Sequence, residues 1–490
     1  MSRPIIIGGG PVGLTAALAL AAAEIPFDLF EKRVSVTEDK GADLVLLPTA
    51  MRALAQLGVF PSLFCESTPL QNTQRLDCQG RNIGDVRWFQ YYKDYLGEYP
   101  RLISRAKLCS ILYERLPPDA KTQIHCATKV VDVKPTASGV IVTCQDGVSY
   151  PGSMLIGADG THSLIRRSMH SIAKYDGPLK LSRERANTFL NKYRPFKSTH
   201  RRLWFRFAVN HFPDLQFRVA HETHGNGVAT QLFAGRDTAT MYVYEKLYSN
   251  GRHKDRYKTR EQEEAAMDAL INQWGHLAVL PNRQLSLREA YDVRTDSGMA
   301  GMEEGVVDHW SWCGRFVLVG DAAHKSTTSL GSGHDHGIVD VVALINELQP
   351  LLTKTGVTSP GFRIPPTTDA VRRDLKLALK RYQDARQPFI RHSCRMSGRA
   401  TATSTGTTCA LRFFNKHVIS SSAVQKWFAR REARAMSRSP RFDFIDSKDL
   451  FAGKAVWTSI IDRRKQRDWD IDNGLSGTSY LPLFGVSSPN

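Results

Sequence analysis

Short apolar runs alternate with helix-forming stretches in the first part of the chain and again near residue 316. Residues 5–7, 27–30, 154–157 and 316–319 are apolar runs typical of buried strands, and the Ala/Leu-rich residues 14–23 favour a helix. Strands separated by helices in this way predict a mostly parallel sheet covered by helices. We therefore expect an α/β domain assembled from separate parts of the chain.

A second pattern occupies residues 180–285. Short, aromatic-rich runs of roughly alternating polarity at 204–209, 215–220, 229–234 and 239–244 predict an antiparallel sheet. It would form the floor of a substrate pocket, although a purely structural sheet fits the pattern equally well. Residues 260–274 have helical apolar spacing and should pack on the sheet, whereas residues 401–408, rich in Thr, Ser, Ala and Gly, predict a loop or linker.

The net charge of +18 is concentrated near the C-terminal end. Residues 361–490 contain 24 lysines and arginines but 11 aspartates and glutamates. Such basicity raises nucleic acid, an anionic membrane or an anionic cofactor as partners. We expect no nucleic acid, because the chain has no recognised nucleic-acid module and no stacking-aromatic motif among its basic residues. A solvated basic surface is favoured, and peripheral contact with an anionic membrane is the alternative.

The eight cysteines form no C-x-x-C pair, and no apolar run reaches the ~20 residues that span a bilayer. The first residues lack the pattern of a secretory signal. We therefore expect a cytoplasmic protein that is at most peripheral to a membrane.

Residues 8–13 (GGGPVG) have the spacing G-x-G-x-x-G between an apolar run and a helix. Gly8 permits a tight turn, Gly10 lets a pyrophosphate approach the backbone, and Gly13 lets the helix pack closely on the strand. Glu31 lies 21 residues after Gly10, where its carboxylate can accept hydrogen bonds from ribose hydroxyls. It argues against a 2′-phosphate, although the adjacent Lys32 and Arg33 weaken that argument. This context predicts a dinucleotide-binding turn.

Two later segments combine an apolar strand with a polar turn. Residues 154–167 end their strand at Asp159-Gly160 and continue into a helix that Thr161 or Ser163 would cap. Residues 316–340 end theirs at Gly320-Asp321, followed by a glycine-containing loop and a second helix. Residues 325–333 of that segment are called the late loop below.

In this order, the three segments resemble those of class A FAD-dependent monooxygenases of the aromatic-hydroxylase type. Stretches at 41–48, 104–108, 244–247 and 310–315 are similar to segments of the fungal secondary-metabolite branch, whose members epoxidise or hydroxylate indole-diterpene and meroterpenoid intermediates. The resemblance covers roughly residues 1–395. It implies FAD as cofactor, NADPH as co-substrate and an aromatic or prenylated small-molecule substrate.

The resemblance also implies a four-part organisation of the chain. Residues 1–178 and 286–360 would form a Rossmann-like FAD-binding domain in two parts. Residues 179–285 would form the inserted antiparallel-sheet substrate domain, and residues 361–490 a helical, basic C-terminal region.

Individual roles follow from the same resemblance. Asp321 would accept hydrogen bonds from the ribityl chain, and Arg105 would make charge-assisted bonds in the pyrophosphate or ribityl region. Asp159 would serve both FAD and NADPH, while Gly331 and Gly333 would let backbone amides approach the flavin. The full set of predicted cofactor-binding residues is Gly8, Gly10, Gly13, Glu31, Arg33, Gly41, Arg105, Asp159, Gly160, Asp321, Gly331 and Gly333.

The late segment departs from the family pattern at several positions. Thr328 stands where the branch usually has proline, and Ser332, His334 and Asp335 replace glutamine, a small residue and asparagine. Thr328 should loosen the loop by releasing φ. Asp335 would either cap the following helix or, near the flavin edge, repel the reduced flavin, in which case Asp335→Asn would speed flavin reduction.

His334, Asp335 and His336 are the candidates for catalysis. Together with His324 they suggest a metal site, but they lie on one contiguous segment with no distant ligand, and we expect no metal. A histidine that acts as acid or base toward the substrate fits the segment better.

The predicted activity is a flavin monooxygenase that uses NADPH and O₂ to epoxidise or hydroxylate its substrate. The alternative is a cyclase or rearrangement scaffold that binds FAD without redox chemistry, and the altered late loop motivates it. Substrate-dependent oxidation of NADPH distinguishes the two.

Overall fold

The computed structural model describes residues 3–38, 41–175, 195–247, 257, 259–353, 369–447 and 449–458. The predicted boundaries at 178/179 and 360/361 lie outside these residues, and so does the basic run at 463–465.

The described strands are β1 (Arg3–Ile7), β2 (Asp28–Phe30), β3 (Leu44–Leu46), β4 (Thr68–Pro69), β5 (Asn72–Asp77), β6 (Arg101–Ile103), β7 (Ile124–His125), β8 (Val130–Pro135), β9 (Val140–Cys144), β10 (Ser149–Gly157), β11 (Lys197–Ala208), β12 (Val219–His224), β13 (Val228–Ala234), β14 (Thr238–Lys246), β15 (Asp296–Val306), β16 (Ser311–Trp312), β17 (Phe316–Leu318) and β18 (His324–Lys325). The described helices are α1 (Pro11–Ala22), α2 (Pro48–Gln56), α3 (Phe60–Glu66), α4 (Trp88–Leu96), α5 (Arg105–Arg115), α6 (Pro118–Lys121), α7 (Leu164–Tyr175), α8 (Arg260–Trp274), α9 (Leu287–Asp292), α10 (Gly333–Thr353), α11 (Asp369–Ser404), α12 (Cys409–Phe413) and α13 (Ser422–Met436).

The first sheet brings the three sequence motifs to one edge. Its strand order is β16-β17-β10-β1-β2-β7, and β9 and β8 extend it from the first half of β10. β1, β10 and β17 run parallel, with Ile7 paired to Gly157 and Gly157 paired to Leu318. The turns that follow these strands therefore lie side by side at their carboxyl ends, which is where ligands bind in open α/β sheets.

Helices cover this sheet because their packing faces are apolar. α1 is almost entirely buried along its Ala/Leu-rich length and packs against α10 and α5. The sheet, these helices and part of α11 share one hydrophobic core. The fold is thus an α/β, Rossmann-like fold with an additional sheet and C-terminal helices, in agreement with the sequence prediction.

The second sheet has the order β18-β15-β11-β14-β13-β12-β5, and its pairs are antiparallel apart from β12 with β5. The predicted helix at residues 260–274 is confirmed as α8, whose apolar side packs on the inner face of this sheet. β12 begins at Val219, later than the predicted run at 215–220. The sheet also includes β5 and β15, which lie outside residues 179–285.

The prediction of a loop at residues 401–408 is wrong in its first half, because α11 continues to Ser404. Thr401 Oγ1 donates a hydrogen bond to the Ser397 carbonyl one turn earlier (3.0 Å), so its hydroxyl is satisfied within the helix. Thr401 is also fully buried against the late loop, where it contacts Thr327 and Ser329. Tertiary packing therefore keeps these weak helix formers helical.

No helix in the described part of the chain combines the length and the hydropathy that a membrane span requires.

A buried ion network joins α10 and α11 to the turn at residue 320. Asp340 accepts a hydrogen bond from Arg386 Nε (2.8 Å) and from the Gly320 amide (3.1 Å), and His324 Nε2 lies 2.5 Å from its carboxylate. Burial alone would raise the pKa of Asp340, but His324 and Arg386 hold it well below its usual range. The network fixes the start of the late loop against the longest helix.

We expect Asp340→Asn to lower the free energy of unfolding by about 3–5 kcal/mol at pH 7, because it leaves Arg386 buried without an anion. Because the pKa of Asp340 is lowered in the folded chain, its ionised carboxylate stabilises the fold above pH ~4. This stabilisation is lost as the pH falls, so the difference in free energy of unfolding between Asp340→Asn and wild type should shrink in acid. Urea unfolding at several pH values measures both effects. Asp384→Asn, which removes a partner of an exposed pair on α11, the helix of Arg386, should change stability little; equal losses in the two variants would contradict the prediction.

Candidate active site

The glycine turn after β1 has no room for side chains. A Cβ on Gly8, where φ is +106°, would lie 2.5 Å from the Ala158 carbonyl oxygen. A Cβ on Gly13 would lie 1.8 Å from the Gly8 carbonyl oxygen, so only glycine lets α1 approach β1 this closely. The predicted roles of Gly8 and Gly13 in turn formation and helix packing are therefore met by this geometry. Gly10 is the residue before α1 and lines the cavity described below.

Arg105 spans the gap between this turn and Gly41. A Cβ on Gly10 would lie 3.2 Å from Arg105 Nη2, and one on Gly41 would lie 3.7 Å from Arg105 Cδ. Ser104 caps α5 through the Lys107 amide and so fixes Arg105 at the first helical position. Within the described residues Arg105 forms no ion pair. A guanidinium beside two glycine backbones and a helix N-terminus suits a pyrophosphate.

Glu31 is tied into the glycine turn. Its Oε2 accepts a hydrogen bond from the Gly9 amide (2.6 Å), and its Oε1 accepts bonds from the amide and Nε of Arg33 (both 3.0 Å). Burial would raise the pKa of Glu31, but the bonds to Arg33 and Gly9 lower it overall, so the carboxylate stays ionised. Arg33 therefore orients Glu31 and neutralises it, so the two residues act as one unit beside the glycine turn.

Asp159 caps the helix that follows it. Its Oδ2 accepts hydrogen bonds from the amides of Leu164 (2.6 Å) and Ile165 (3.2 Å), while its Oδ1 is buried without a partner. Ser163 supplies a further cap by accepting a bond from the Arg166 amide, as one of the two sequence alternatives predicted. Gly160 has φ of +77° and lines the cavity, whereas Asp159 lies just behind it. Oδ2 therefore serves the fold, and Oδ1 lies behind the cavity wall and not on it.

Asp321 lies on the single helical turn after β17 and belongs to a polar group at the cavity wall. Its Oδ2 accepts hydrogen bonds from Lys325 Nζ (2.6 Å) and Thr161 Oγ1 (3.2 Å). Burial would raise the pKa of Asp321, but Lys325 lowers it overall. A Cβ on Gly333 would lie 3.9 Å from Asp321 Oδ1, so the second glycine of the late loop is beside this carboxylate.

The late loop presents small residues and free hydroxyls. Gly331 has φ of +64° and ends the single turn at Thr328–Leu330, where a side chain would be strained. The Oγ atoms of Ser326 and Ser332 are buried without hydrogen-bond partners. Buried hydroxyls of this kind are normally satisfied by a ligand or water, so the loop has donors available for a polar ring edge.

The three candidates for catalysis separate in the structure. His334 alone lines the cavity, and burial lowers its pKa to about 4, so its ring is neutral near pH 7. His336 faces the other way and bonds Ser393 (2.6 Å). Asp335 is fully buried and accepts a hydrogen bond from the Leu47 amide (2.9 Å). The described residues contain no cluster of three potential metal ligands.

Asp335 is not among the residues that line the cavity, which disfavours the sequence alternative that places it near the flavin edge. Burial raises its pKa well above the usual range, which disfavours the charged carboxylate that would repel reduced flavin. The expected acceleration of flavin reduction by Asp335→Asn therefore loses its physical basis.

One cavity of about 1130 Å³ joins these elements to the second sheet. Of the predicted cofactor-binding residues, it is lined by Gly10, Gly41, Arg105, Gly160, Asp321, Gly331 and Gly333. Its far wall is the outer face of the second sheet, with the side chains of Arg75, Arg202, Trp204, Glu222, His224, Gln231, Phe233, Tyr242 and Tyr244. The predicted substrate-pocket sheet thus does border the cavity.

Sequence reasoning missed the contribution of the C-terminal region. Side chains of α11, α13 and the turn between α12 and α13 close the cavity opposite the sheet, among them Phe389, Met396, Phe414, Trp427 and Phe428. These residues lie beyond the sequence motifs. The one signal for their role in the sequence is that they are apolar residues within a basic segment. The region also brings charged side chains to the cavity wall, among them Arg395, Arg399, Arg431 and Glu432.

Polar contacts extend from the late loop into the sheet. Gln231 Nε2 donates to the Ser329 carbonyl (3.1 Å) and to Glu222 Oε1 (2.7 Å), and Tyr244 donates to Gln231 Oε1 (2.7 Å). His224 lies 3.2 Å from Glu222 Oε2 and 2.9 Å from Asn415 Nδ2. These contacts fix the loop relative to the pocket wall.

The polar groups of the site fit the parts of FAD. The glycine turn and Arg105 would hold the pyrophosphate, Glu31 the ribose, and Asp321 with the late loop the ribityl chain and ring. The Oγ atoms of Ser326 and Ser332 lie on the cavity wall and supply unsatisfied polar atoms for such a ligand. Fold and site together define an FAD-binding protein of the Rossmann-like type.

Comparison with known proteins identifies the family. The family model described as FAD binding domain matches residues 2–359, so the chain belongs to that family. The FAD-dependent monooxygenase srdH of Neurospora crassa is 31% identical over 397 residues, covering 79% of this chain and 83% of srdH. The FAD-dependent monooxygenase DEP2 of Alternaria brassicicola is 27% identical, covering 96% of this chain and 84% of DEP2. The protein is a flavin-dependent monooxygenase, of class A and of the fungal secondary-metabolite branch.

A solved structure supports the fold. HpxO of Klebsiella pneumoniae, complexed with FAD and uric acid, superposes with a TM-score of 0.64 at 19% identity, covering 89% of this chain and 96% of HpxO.

We expect Arg105→Met to weaken FAD binding by about 10- to 100-fold, because it removes the cation between Gly10 and Gly41. Flavin fluorescence during dilution or ultrafiltration measures the dissociation constant. Lys107→Met removes a cation from the same helix at an exposed ion pair with Glu66, and it should leave FAD affinity unchanged. Equal affinities in the two variants would exclude the assigned position of Arg105.

Asp335→Asn should raise the free energy of unfolding near pH 7 relative to wild type. The raised pKa of Asp335 means that the folded chain holds a proton which the unfolded chain releases above pH ~4, so wild-type stability falls as the pH rises through that window. Asparagine keeps the bond from the Leu47 amide and removes this loss, about 1.4 kcal/mol for each unit of the pKa shift. The gain should disappear toward pH 4. Asp214→Asn, at an exposed position, is the control and should show no such pH-dependent gain.

Proposed function

We propose that this protein uses NADPH and O₂ to transfer one oxygen atom to an aromatic or prenylated secondary metabolite, giving an epoxide or a hydroxylated product. The observation that carries the proposal is the continuity of one cavity from the cofactor-binding edge of the first sheet to the aromatic face of the second. NADPH would bind transiently in a groove, since the sequence contains no second G-x-G-x-x-G domain. The relatives named as FAD-dependent monooxygenases support the same reaction class.

The predicted cofactor-binding residues would act in the roles that the site geometry suggests. FAD, when bound, accepts hydride from NADPH and activates O₂. The chain orients it through Arg105, Glu31 and Asp321. Phe389, Met396 and the other apolar side chains of the C-terminal helices restrict water from the reacting region.

His334 is the titratable candidate that remains at the cavity wall. Its neutral ring has an Nε2 atom that makes no hydrogen bond and lies 3.5 Å from Asp335 Oδ2, and this atom would donate a hydrogen bond to, or accept one from, a ligand near the late loop. Oxygen transfer to an alkene requires no catalytic base, so we assign His334 a positioning role.

The purified protein should be yellow with bound FAD, and a substrate from a panel of aromatic and prenylated compounds should accelerate NADPH oxidation. The product should be heavier by one oxygen atom, measured by mass spectrometry with ¹⁸O₂ as the source of label. Turnover of a compound without NADPH consumption would instead favour the non-redox cyclase or rearrangement scaffold.

We also propose that the basic C-terminal region permits peripheral contact with an anionic membrane. Helix α13 exposes Trp427 beside Arg430 and Arg431, a combination that suits a lipid headgroup layer. Binding to vesicles containing phosphatidylserine should be strong at low salt and lost at high salt, measured by co-sedimentation. Vesicles of phosphatidylcholine alone are the control. Absence of binding at low salt would leave a solvated basic surface.

A further inference from the structure

The cavity meets solvent between the late loop and the C-terminal helices. Among the described residues that line it, four are exposed: Leu330 of the late loop, Arg395 and Arg399 of α11, and Trp427 of α13. A side chain that lines a cavity and is also exposed lies where that cavity opens. In the part of the chain that the structure describes, a ligand that approaches the cofactor position through this opening therefore passes two arginines.

Helical geometry places these arginines across the cavity from the late loop. Ser397 and Thr401 face the loop, which they contact through hydroxyl pairs. Arg395 and Arg399 lie about half a turn round α11 from those residues, and Met396, which lines the cavity, lies on the face between them. An α-helix with its side chains is about 10–12 Å wide, so the arginines are about that far from the loop.

Two carboxylates lie close to this part of α11, and neither of them pairs with Arg399. Glu432 of α13 lies 3.6 Å from His392 Nε2. Glu304 of β15 packs beside Gly398, where a Cβ would lie 2.5 Å from the Glu304 Oε2 atom. Within the described residues Arg399 forms no ion pair, so its guanidinium is available to an anionic ligand at the opening.

Three cations deeper in the cavity are already engaged. Lys325 bonds Asp321, and Arg75 donates to the Gly84 carbonyl (3.1 Å). Arg105 lies beside the glycine turn, where the pyrophosphate of FAD would bind. These three side chains are therefore not free for a second anionic ligand, whereas the pair on α11 lies away from the FAD position.

We propose that Arg395 and Arg399 bind the phosphate groups of NADPH and direct its nicotinamide across the cavity face of α11 toward the late loop. The two arginines are one helical turn apart, about 6 Å along the axis, and guanidinium groups form bidentate, charge-assisted bonds with phosphate oxygens. One ribose separates the pyrophosphate of NADPH from its nicotinamide, a length that suits the width of the helix. The inference rests on the proposed function, which uses NADPH, but the binding step requires no turnover.

The test measures the binding of NADP⁺ to the FAD-loaded protein by calorimetry at low ionic strength, where screening is weak. We expect the double variant Arg395→Gln with Arg399→Gln to bind NADP⁺ about 10-fold or more weakly than wild type, because it loses both cations. NAD⁺ is measured in parallel. Equal losses for both nucleotides would assign the arginines to the pyrophosphate, and a loss for NADP⁺ alone would assign them to the 2′-phosphate.

Arg373→Gln with Arg391→Gln is the matched control, because these exposed arginines of α11 do not line the cavity. It should keep the wild-type affinity for NADP⁺, and unchanged FAD content and thermal unfolding show that both double variants are folded. An equal loss in the control would assign the effect to the general positive field and overturn the proposal. So would the absence of NADP⁺ binding in wild type, or an affinity within about two-fold of wild type in the first double variant.

Two further results separate the proposal from its neighbours. Loss of binding to phosphatidylserine vesicles in the first double variant, with NADP⁺ affinity kept, would assign the two arginines to a membrane and overturn the proposal. Binding of NADP⁺ that depends on the two arginines, without substrate-dependent oxidation of NADPH, would support this site and count against the proposed function alone.

Discussion

The register of three parallel strands is the constraint on which the site depends. Because Ile7, Gly157 and Leu318 are aligned across β1, β10 and β17, the turns that follow them open at one edge. A shift of one residue in any strand would reverse the faces of its side chains and move its turn away from the others. The glycines enforce this arrangement, since a Cβ on Gly8 or Gly13 would overlap backbone.

The late loop is held in place from outside. The family resemblance predicts that Thr328, which stands where proline is usual, loosens the late loop. In the structure, however, side chains from other elements bond the loop at several positions. Thr327 bonds Ser397, and Ser329 bonds Thr401, both on α11. Gln231 reaches it from the sheet. Hydroxyl pairs between a helix and a loop thus replace the restriction that proline would impose on φ.

The sequence allowed prediction of the parts that rest on local patterns. The glycine turn, the strand-end acids and helix α8 follow from spacing and periodicity within short windows. The inclusion of β5 and β15 in the second sheet did not follow, because strand pairing over long separations depends on tertiary contacts. The same applies to the separation of His334 from Asp335 and His336: consecutive residues on a helix point in different directions, and only packing decides which one meets the cavity.

The ionisable residues at the start of α10 also acquire their chemical state from packing. The residue types alone suggest two cations and one anion beside the cofactor, at His334, His336 and Asp335. Burial instead lowers the pKa of both histidines, so their rings are neutral near pH 7, and it raises the pKa of Asp335, which favours the uncharged carboxyl group. The late-loop end of the cavity is therefore lined by the Asp321–Lys325 pair and by dipoles. Negative charge that develops on a bound flavin would then meet backbone amides and the N-terminus of α10, both of which favour it, without opposition from Asp335.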